Sequence, residues 1–122
     1  MFVNHYSDFT YVHLISKLDA EVTVEAKLSF ENICDSYVVK SFQYHADIGI
    51  FDTKKIKEVC NVAKQTLNFC GVNAHHQNRK PENIIKDVTT GAMTALLHAY
   101  HCWTNAIHSS LLPASVNNYV NL

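Results

Sequence analysis

The sequence predicts an α/β domain in which a mixed sheet is covered by helices. Short stretches rich in β-branched and aromatic residues alternate with longer stretches whose apolar residues recur every three or four positions. The resulting order is β-β-α-β-α-β-α-α. The strand–helix–strand units between residues 38 and 72 require parallel pairing through right-handed crossovers, whereas the opening hairpin is antiparallel. At 122 residues the chain is expected to form one domain at most.

The first part of the chain predicts a hairpin followed by a helix. Strand-forming residues lie at 2–3 and 10–15, on either side of Ser7 and Asp8, which favour a turn. Asp19 then offers an N-cap for a helix. The apolar stripe of that helix is Val22, Ala26, Phe30, Ile33 and Tyr37.

The middle of the chain predicts a strand, a helix and another strand. Residues 38–44 form the first of these strands, and Gly49 permits the turn after it. Asp52 or Thr53 can cap the helix. Its buried stripe is Ile56, Val59, Cys60 and Ala63. Residues 66–72 form the second strand.

A long helix follows the polar segment 73–80, because Pro81 is tolerated in a first helical turn. Its predicted apolar stripe is Ile85, Val88, Ala92, Leu96, Ala99 and Trp103. A further short helix starts near Thr104 or Asn105, and Pro113 interrupts it. We therefore place the domain in residues 1–112 and a C-terminal tail in residues 113–122.

Composition narrows the class of protein. Hydrophobic residues make up 48% of the chain and charged residues 17%, as in globular proteins. No apolar run approaches the roughly 20 residues that cross a bilayer, and the first residues lack the pattern of a signal peptide. We therefore expect an intracellular protein whose four cysteines, without CxxC spacing, are reduced. The net charge of −1 means that any DNA contact must come from a local patch.

Three stretches of the chain resemble a known family. They are Phe-Val-Asn-His-Tyr-Ser-Asp-Phe-Thr-Tyr-Val-His-Leu at 2–14, Tyr-His-Ala-Asp-Ile-Gly-Ile-Phe at 44–51, and Phe-Cys-Gly-Val-Asn-Ala-His-His-Gln-Asn at 69–78 followed by Glu82. Together they resemble the DDE-type integrase catalytic core of copia-like LTR retrotransposons. The resemblance covers nearly the whole chain and weakens after Trp103. It implies a ribonuclease H-like mixed sheet with flanking helices, truncated here before its first catalytic strand.

The resemblance also implies a catalytic metal site that uses Asp47 and Glu82. Such sites hold Mg²⁺ or Mn²⁺, which activate the attacking oxygen of a phosphoryl transfer and stabilise the leaving one. The family's first carboxylate would lie upstream of this chain's first strand, and neither Asn4 nor Asp8 takes its role, so we expect the chain alone to be inactive. Two simpler interpretations remain open: Asp47 as a turn residue before Gly49, and Glu82 as a first-turn acid stabilised by the helix dipole.

The two carboxylates are expected at the same edge of the sheet. The stretch between Asp47 and Glu82 holds one turn, one helix and one strand, which returns the chain to the edge it left. Because the ions of a two-metal site lie about 4 Å apart, we expect the carboxyl groups to lie within roughly 10 Å of each other.

Contacts with DNA are expected near the start of the long helix. The resemblance makes Lys86 a phosphate contact, although a salt bridge with Glu82 four residues earlier fits the spacing equally well. The residues that could extend a basic patch toward the DNA backbone are Arg79, Lys80, His75 and His76. A solvated loop explains the latter group equally well.

Three classes of function follow. The favoured class is a fragment of a retrotransposon integrase, nuclear if functional, whose ancestral reaction is metal-dependent 3′-end processing and DNA strand transfer. The alternative is a non-enzymatic, degenerate or co-opted copy that binds DNA or self-associates as a homo-oligomer. The third, a small zinc-binding protein, rests on the helical spacing of His98, His101 and Cys102. In the first two classes, the missing strand should leave an unpaired seam between the hairpin and residues 38–46, where another chain could associate.

Overall fold

The computed structural model of the protein describes residues 1–71, 79–105 and 108–121. Its elements follow one another in the predicted order, which confirms the mixed α/β class. They are strands β1 (Phe2–Val3) and β2 (Thr10–Tyr11), helix α1 (Ala20–Ser36), strand β3 (Gln43–Ala46), helix α2 (Lys54–Val62), strand β4 (Thr66–Phe69), helix α3 (Arg79–Cys102) and helix α4 (Leu112–Val120). The chain divides into two units, Ile15–Arg79 and Met1–Leu14 with Lys80–Leu122.

Helix α1 begins and ends at residues whose chemistry suits those positions. Asp19 is extended, and its side-chain oxygen accepts a hydrogen bond of 2.9 Å from the Val22 N–H, so the predicted N-cap is confirmed. At the other end, Val38 is left-handed, with φ of 61°, and its N–H donates to the Asp35 carbonyl. This turn occupies residues that the sequence assigned to a strand, so β3 starts later than predicted.

Strands β3 and β4 form a parallel pair, as predicted. The register pairs Gln43 with Thr66 at one end and Ala46 with Phe69 at the other. Ala46 is buried, whereas its neighbour His45 is exposed on the opposite face. One face of the pair therefore belongs to the core of the Ile15–Arg79 unit and the other is polar.

Helix α2 follows its predicted pattern in part. Ile56 and Cys60 are buried, as expected, but Ala63 is exposed because the helix ends at the preceding residue. Thr53 occupies the N-cap position, yet its side chain makes no capping hydrogen bond.

The buried face of α1 differs from the predicted stripe. Ala26 and Phe30 are buried as expected, but Tyr37 is 74% exposed because it lies beyond the last helical turn. The residues of α1 that are buried are Thr23, Ala26, Lys27, Phe30 and Cys34. The face is therefore rotated by a fraction of a turn from the prediction, and it takes in Lys27, a residue type that is almost never buried unless it is paired.

Lys27 belongs to a polar cluster in which Glu31 is the common acceptor. Only 2% of Lys27 is exposed, and its Nζ lies 2.7 Å from Glu31 Oε1 and 5.1 Å from the centre of the Tyr44 ring. The same Glu31 oxygen accepts hydrogen bonds of 2.6 Å from the Tyr44 hydroxyl and from Gln65 Nε2. Gln65 Nε2 also donates to the Ser41 carbonyl. The cluster thus joins α1 to β3 and to the residue that precedes β4.

The cluster changes the acidity of its members. Burial acts to raise the pKa of Glu31, but hydrogen bonds from Lys27, Tyr44 and Gln65, together with the charge of Lys27, outweigh it, so this pKa is lowered. Burial, and then the bond to the Glu31 carboxylate, raise the pKa of Tyr44. Glu31 is therefore held as an anion and Tyr44 as a neutral donor.

We predict that Glu31→Gln lowers the free energy of unfolding by about 3 kcal/mol, because it leaves the Lys27 ammonium buried without a counter-charge. Urea unfolding at neutral pH measures the effect. The matched control is Glu21→Gln, which removes an exposed partner of Lys55 and should cost about 0.5 kcal/mol.

The loss of stability caused by Glu31→Gln should depend on pH. Because folding lowers the pKa of Glu31, its contribution to stability is fully present above the pKa of an unfolded glutamate, about 4.3, and is lost as the pH falls through the lower folded value. The difference between the wild type and Glu31→Gln should therefore shrink in acid. An undiminished difference there would contradict the assignment.

The hairpin of the other unit is closed by its own loop. Strands β1 and β2 pair antiparallel, with Phe2 opposite Tyr11 and Val3 opposite Thr10. Asn4 Oδ1 accepts hydrogen bonds from the N–H groups of Tyr6 and Ser7 at 3.0 and 2.9 Å. The loop includes the predicted turn at Ser7 and Asp8, and Asp8 has a left-handed φ of 59°.

Helix α3 buries a narrower stripe than predicted. Val88 and Ala92 are buried, and Leu96 and Ala99 are half-buried, in agreement with the periodicity. Ile85 and Trp103 were predicted to be buried but are 46% and 65% exposed. Trp103 lies outside the last turn, because α3 ends at the residue before it.

Helix α4 falls in the segment that the sequence assigned to a tail. Pro113 was expected to interrupt a helix, and this was wrong: it lies in the first turn of α4. A proline is compatible with that position, since the N–H it lacks would have no partner there. The helix packs on α3, where the Ser115 hydroxyl donates to the Ala92 carbonyl at 2.8 Å and the Tyr119 ring lies against Gly91.

We predict that Gly91→Ala displaces α4, because the added methyl group would overlap the Tyr119 ring. Overpacking of this kind costs about 1–3 kcal/mol. Amide hydrogen exchange should become faster in Leu112–Val120. Adding Tyr119→Ala removes the overlap, so the double variant should lose less stability through Gly91→Ala than the wild type does. An equal loss in both backgrounds would contradict this packing.

The four strands of the described residues form two two-stranded sheets, whereas a single mixed sheet was expected. One is the antiparallel hairpin and the other is the parallel pair. The unpaired seam expected between the hairpin and residues 38–46 stays a prediction.

Candidate functional site

Asp47 lies at the carboxyl end of the parallel pair. It follows the last residue of β3, and its side chain is exposed. Within the described residues its carboxylate takes part in no ion pair or hydrogen bond. Gly49 then turns the chain with φ of 158° and ψ of −127°, a conformation open to glycine, and its carbonyl accepts from the Asp52 N–H. The carboxylate is therefore presented to solvent at a strand end, where ligands of parallel sheets bind.

His45 and Cys70 lie beside this strand end. The Cys70 N–H donates to the Ala46 carbonyl at 3.0 Å, which continues the ladder beyond β4 and brings Cys70 next to Asp47. The Cys70 Sγ lies 3.2 Å from Nε2 of His45. Cys70 is 5% exposed, whereas His45 is exposed. An imidazole and a thiol thus join the carboxylate at one edge.

Glu82 lies in the first turn of α3 and is half-buried. The spacing allowed a salt bridge with Lys86, but the two side chains are not within 4.0 Å of each other. Lys86 is exposed, and within the described part of the chain it has no ion-pair partner. The salt bridge with Glu82 is therefore not formed, and a contact of Lys86 with a phosphate stays a prediction.

The remaining predicted DNA contacts differ in their surroundings. Lys80 is engaged by the hairpin, since its Nζ donates to the His5 carbonyl at 2.7 Å and pairs with the Asp8 carboxylate. Arg79, the first residue of α3, is exposed. His75 and His76 lie outside the described residues.

Asp47 and Glu82 lie in different units of the chain. Each is placed by its own element, β3 for Asp47 and α3 for Glu82. Their approach to within roughly 10 Å stays a prediction.

The described residues contain no group of three or more histidine, cysteine, aspartate or glutamate side chains that could hold a metal ion. His98, His101 and Cys102, the candidate zinc ligands on α3, are each exposed. Among the described helices, none has the length and apolar character needed to cross a membrane.

Comparisons of the chain with protein-family models, with curated proteins and with solved structures found no match.

Sequence reasoning missed two side-chain clusters. The i, i+4 spacing of Lys27 and Glu31 in the sequence predicts an ion pair on a helix. The sequence does not indicate that this pair is buried. His45 and Cys70 are 25 positions apart in the chain, and their contact depends on the register of β3 against β4. The sequence alone leaves that register open.

We predict that Lys80→Gln lowers the free energy of unfolding by about 1 kcal/mol, because it removes the charged donor that ties α3 to the hairpin. Lys86→Gln, on the same helix but without a described partner, should change stability by less than about 0.5 kcal/mol. Thermal melts of both variants measure the difference. Equal losses would show that the Lys80 contacts do not stabilise the fold.

Proposed function

We propose that this chain is part of an integrase catalytic core with a ribonuclease H-like fold, of the kind found in copia-like retrotransposons, and that Asp47 and Glu82 are metal-binding carboxylates of its site. The observation that supports this most is the placement of Asp47. It is an exposed carboxylate without a described partner, directly after a strand of a parallel pair. A carboxylate in that position is free to bind a cation.

The chemistry of the two acids suits Mg²⁺ or Mn²⁺. Both ions prefer oxygen ligands and keep coordinated waters, which leaves positions for phosphate oxygens. When bound, such ions stabilise the charge that develops during phosphodiester transfer. Asp47 and Glu82 would hold them, and Lys86 on the exposed surface of α3 would bind a phosphate of the DNA backbone. Since the chain has a net charge of −1, DNA would be held by this local patch.

The experiment is a calorimetric titration of the 122-residue chain with Mn²⁺. Asp47→Asn and Glu82→Gln should each weaken binding at least tenfold, since each removes an anionic oxygen ligand. The controls are Asp35→Asn and Asp87→Asn, which remove other exposed acids of the same two units. Loss of affinity in the controls as large as in the site variants would overturn the assignment.

The same protein, incubated with Mg²⁺ or Mn²⁺ and a retrotransposon-end duplex, should neither cleave nor join DNA. The residues present supply Asp47 and Glu82 but not the family's first carboxylate, and an under-ligated metal pair cannot neutralise the transition state. Cleavage that Asp47→Asn abolishes would show that these two carboxylates suffice. Duplex binding that is independent of metal would favour the non-enzymatic DNA-binding alternative.

A further inference from the structure

The second half of helix α3 exposes an apolar stripe to solvent. Met93, Leu97 and Tyr100 recur at steps of four and three, so they lie on one face of the helix. Their exposed fractions are 45%, 57% and 48%, and Trp103, three residues further, is 65% exposed. We call these four residues the outer stripe. The helix is therefore apolar on more than the side that packs on α4, where Ala92 is buried.

The same part of the chain carries no Asp, Glu, Lys or Arg. All 10 basic and 11 acidic residues lie in residues 1–87, and residues 88–122 contain none of them. A helix at the surface of a globular protein ordinarily carries charged residues on its exposed side. Depletion of charge together with exposed Tyr, Trp and Met is instead the composition of the core of a protein–protein interface. The outer stripe has this composition.

The charge pattern favours a second copy of this chain over DNA as the partner of the outer stripe. DNA binding requires cations that neutralise phosphates, and residues 88–122 supply no lysine or arginine. In a twofold-symmetric dimer the same patch lies on both sides of the interface, so a charge near the axis would face its own copy. An uncharged stripe avoids this like-charge repulsion.

The size of the outer stripe also suits a dimer interface. An aromatic side chain offers about 150–250 Å² of surface, so the exposed parts of Tyr100 and Trp103 amount to roughly 200 Å². Met93 and Leu97 each add about half of a side chain. Each partner of a standard interface contributes about 800 Å², of which somewhat more than half is apolar. The outer stripe supplies a large share of that apolar area.

We propose that the outer stripe is a dimer interface, which packs against the outer stripe of a second copy of this chain. The steps of three and four allow the side-chain ridges of one α3 helix to enter the grooves of the other. The interface uses neither Asp47 nor Glu82, so it stands or falls independently of the proposed integrase function.

The first test is sedimentation equilibrium of the 122-residue chain at about 100 μM in metal-free buffer, which should give twice the 13.8 kDa mass of one chain. Leu97→Glu and Tyr100→Glu should each weaken association by roughly tenfold or more, because each places like charges on both sides of the interface. The matched control is Ile85→Glu. It adds the same charge to the same helix at a residue that is 46% exposed but lies before the uncharged segment, so association should be unchanged.

The second test uses Trp103, which is the one tryptophan of the chain, so its fluorescence reports on this surface. Its emission should move to shorter wavelength as the wild type is concentrated and dimerises, because the indole leaves water. The emission of Leu97→Glu should stay constant over the same range. Circular dichroism matching the wild type establishes that this variant is folded, and Tyr100→Glu replaces it should it fail to fold.

A wild type that is monomeric at about 100 μM would overturn the proposal. So would a dimer that Leu97→Glu and Ile85→Glu weaken equally, or association that leaves the Trp103 emission unchanged, because the contact would then lie elsewhere on the chain. An emission shift that requires an added DNA duplex would assign the outer stripe to DNA and overturn the proposal as well.

Discussion

The ion pair of Lys27 and Glu31 lies between helix α1 and the parallel strand pair of the Ile15–Arg79 unit. Both residues belong to α1, but Glu31 also accepts from Tyr44 in β3 and from Gln65 just before β4. The ammonium of Lys27 is further stabilised by the face of the Tyr44 ring. Because a buried lysine without a counter-charge is strongly destabilising, the helix and both strands are held in one relative arrangement. The position of Asp47, three residues after Tyr44, follows from it.

The carboxyl edge of the parallel pair combines side chains of different chemistry. Asp47 is a carboxylate exposed to solvent, whereas the His45 imidazole and the Cys70 thiol contact each other. The alternation of strand residues places His45 on the polar face, while Tyr44 and Ala46 turn toward the core. The alternation of side chains along β3 therefore both buries Ala46 and exposes His45 at this edge.

In the other unit, two lysines near the start of α3 have different surroundings. Lys80 is engaged by the hairpin through Asp8 and the His5 carbonyl, whereas Lys86, almost two turns later, is free of described partners. A lysine held in this way ties the start of α3 to the hairpin. The centre of α3 is adapted to a neighbouring helix, since Gly91 lets the Tyr119 ring approach and Ala92 accepts from Ser115. The two lysines of α3 thus differ in whether their ammonium groups contact the hairpin.

The sequence by itself determined the element order, the Asp19 cap, the parallel pairing of residues near 43–46 with those near 66–69, and the placement of Asp47 after a strand. These features depend on local chemistry: periodicity, turn residues and capping oxygens. Only the tertiary structure decided that Lys27 is buried, that His45 contacts Cys70, and that Pro113 begins a helix. Burial and register arise from contacts between residues far apart in the chain, and a proline is compatible with either the end or the beginning of a helix. The buried face of α1 differs from the predicted apolar stripe for the same reason. It includes Lys27, a charged residue, because Lys27 pairs with Glu31.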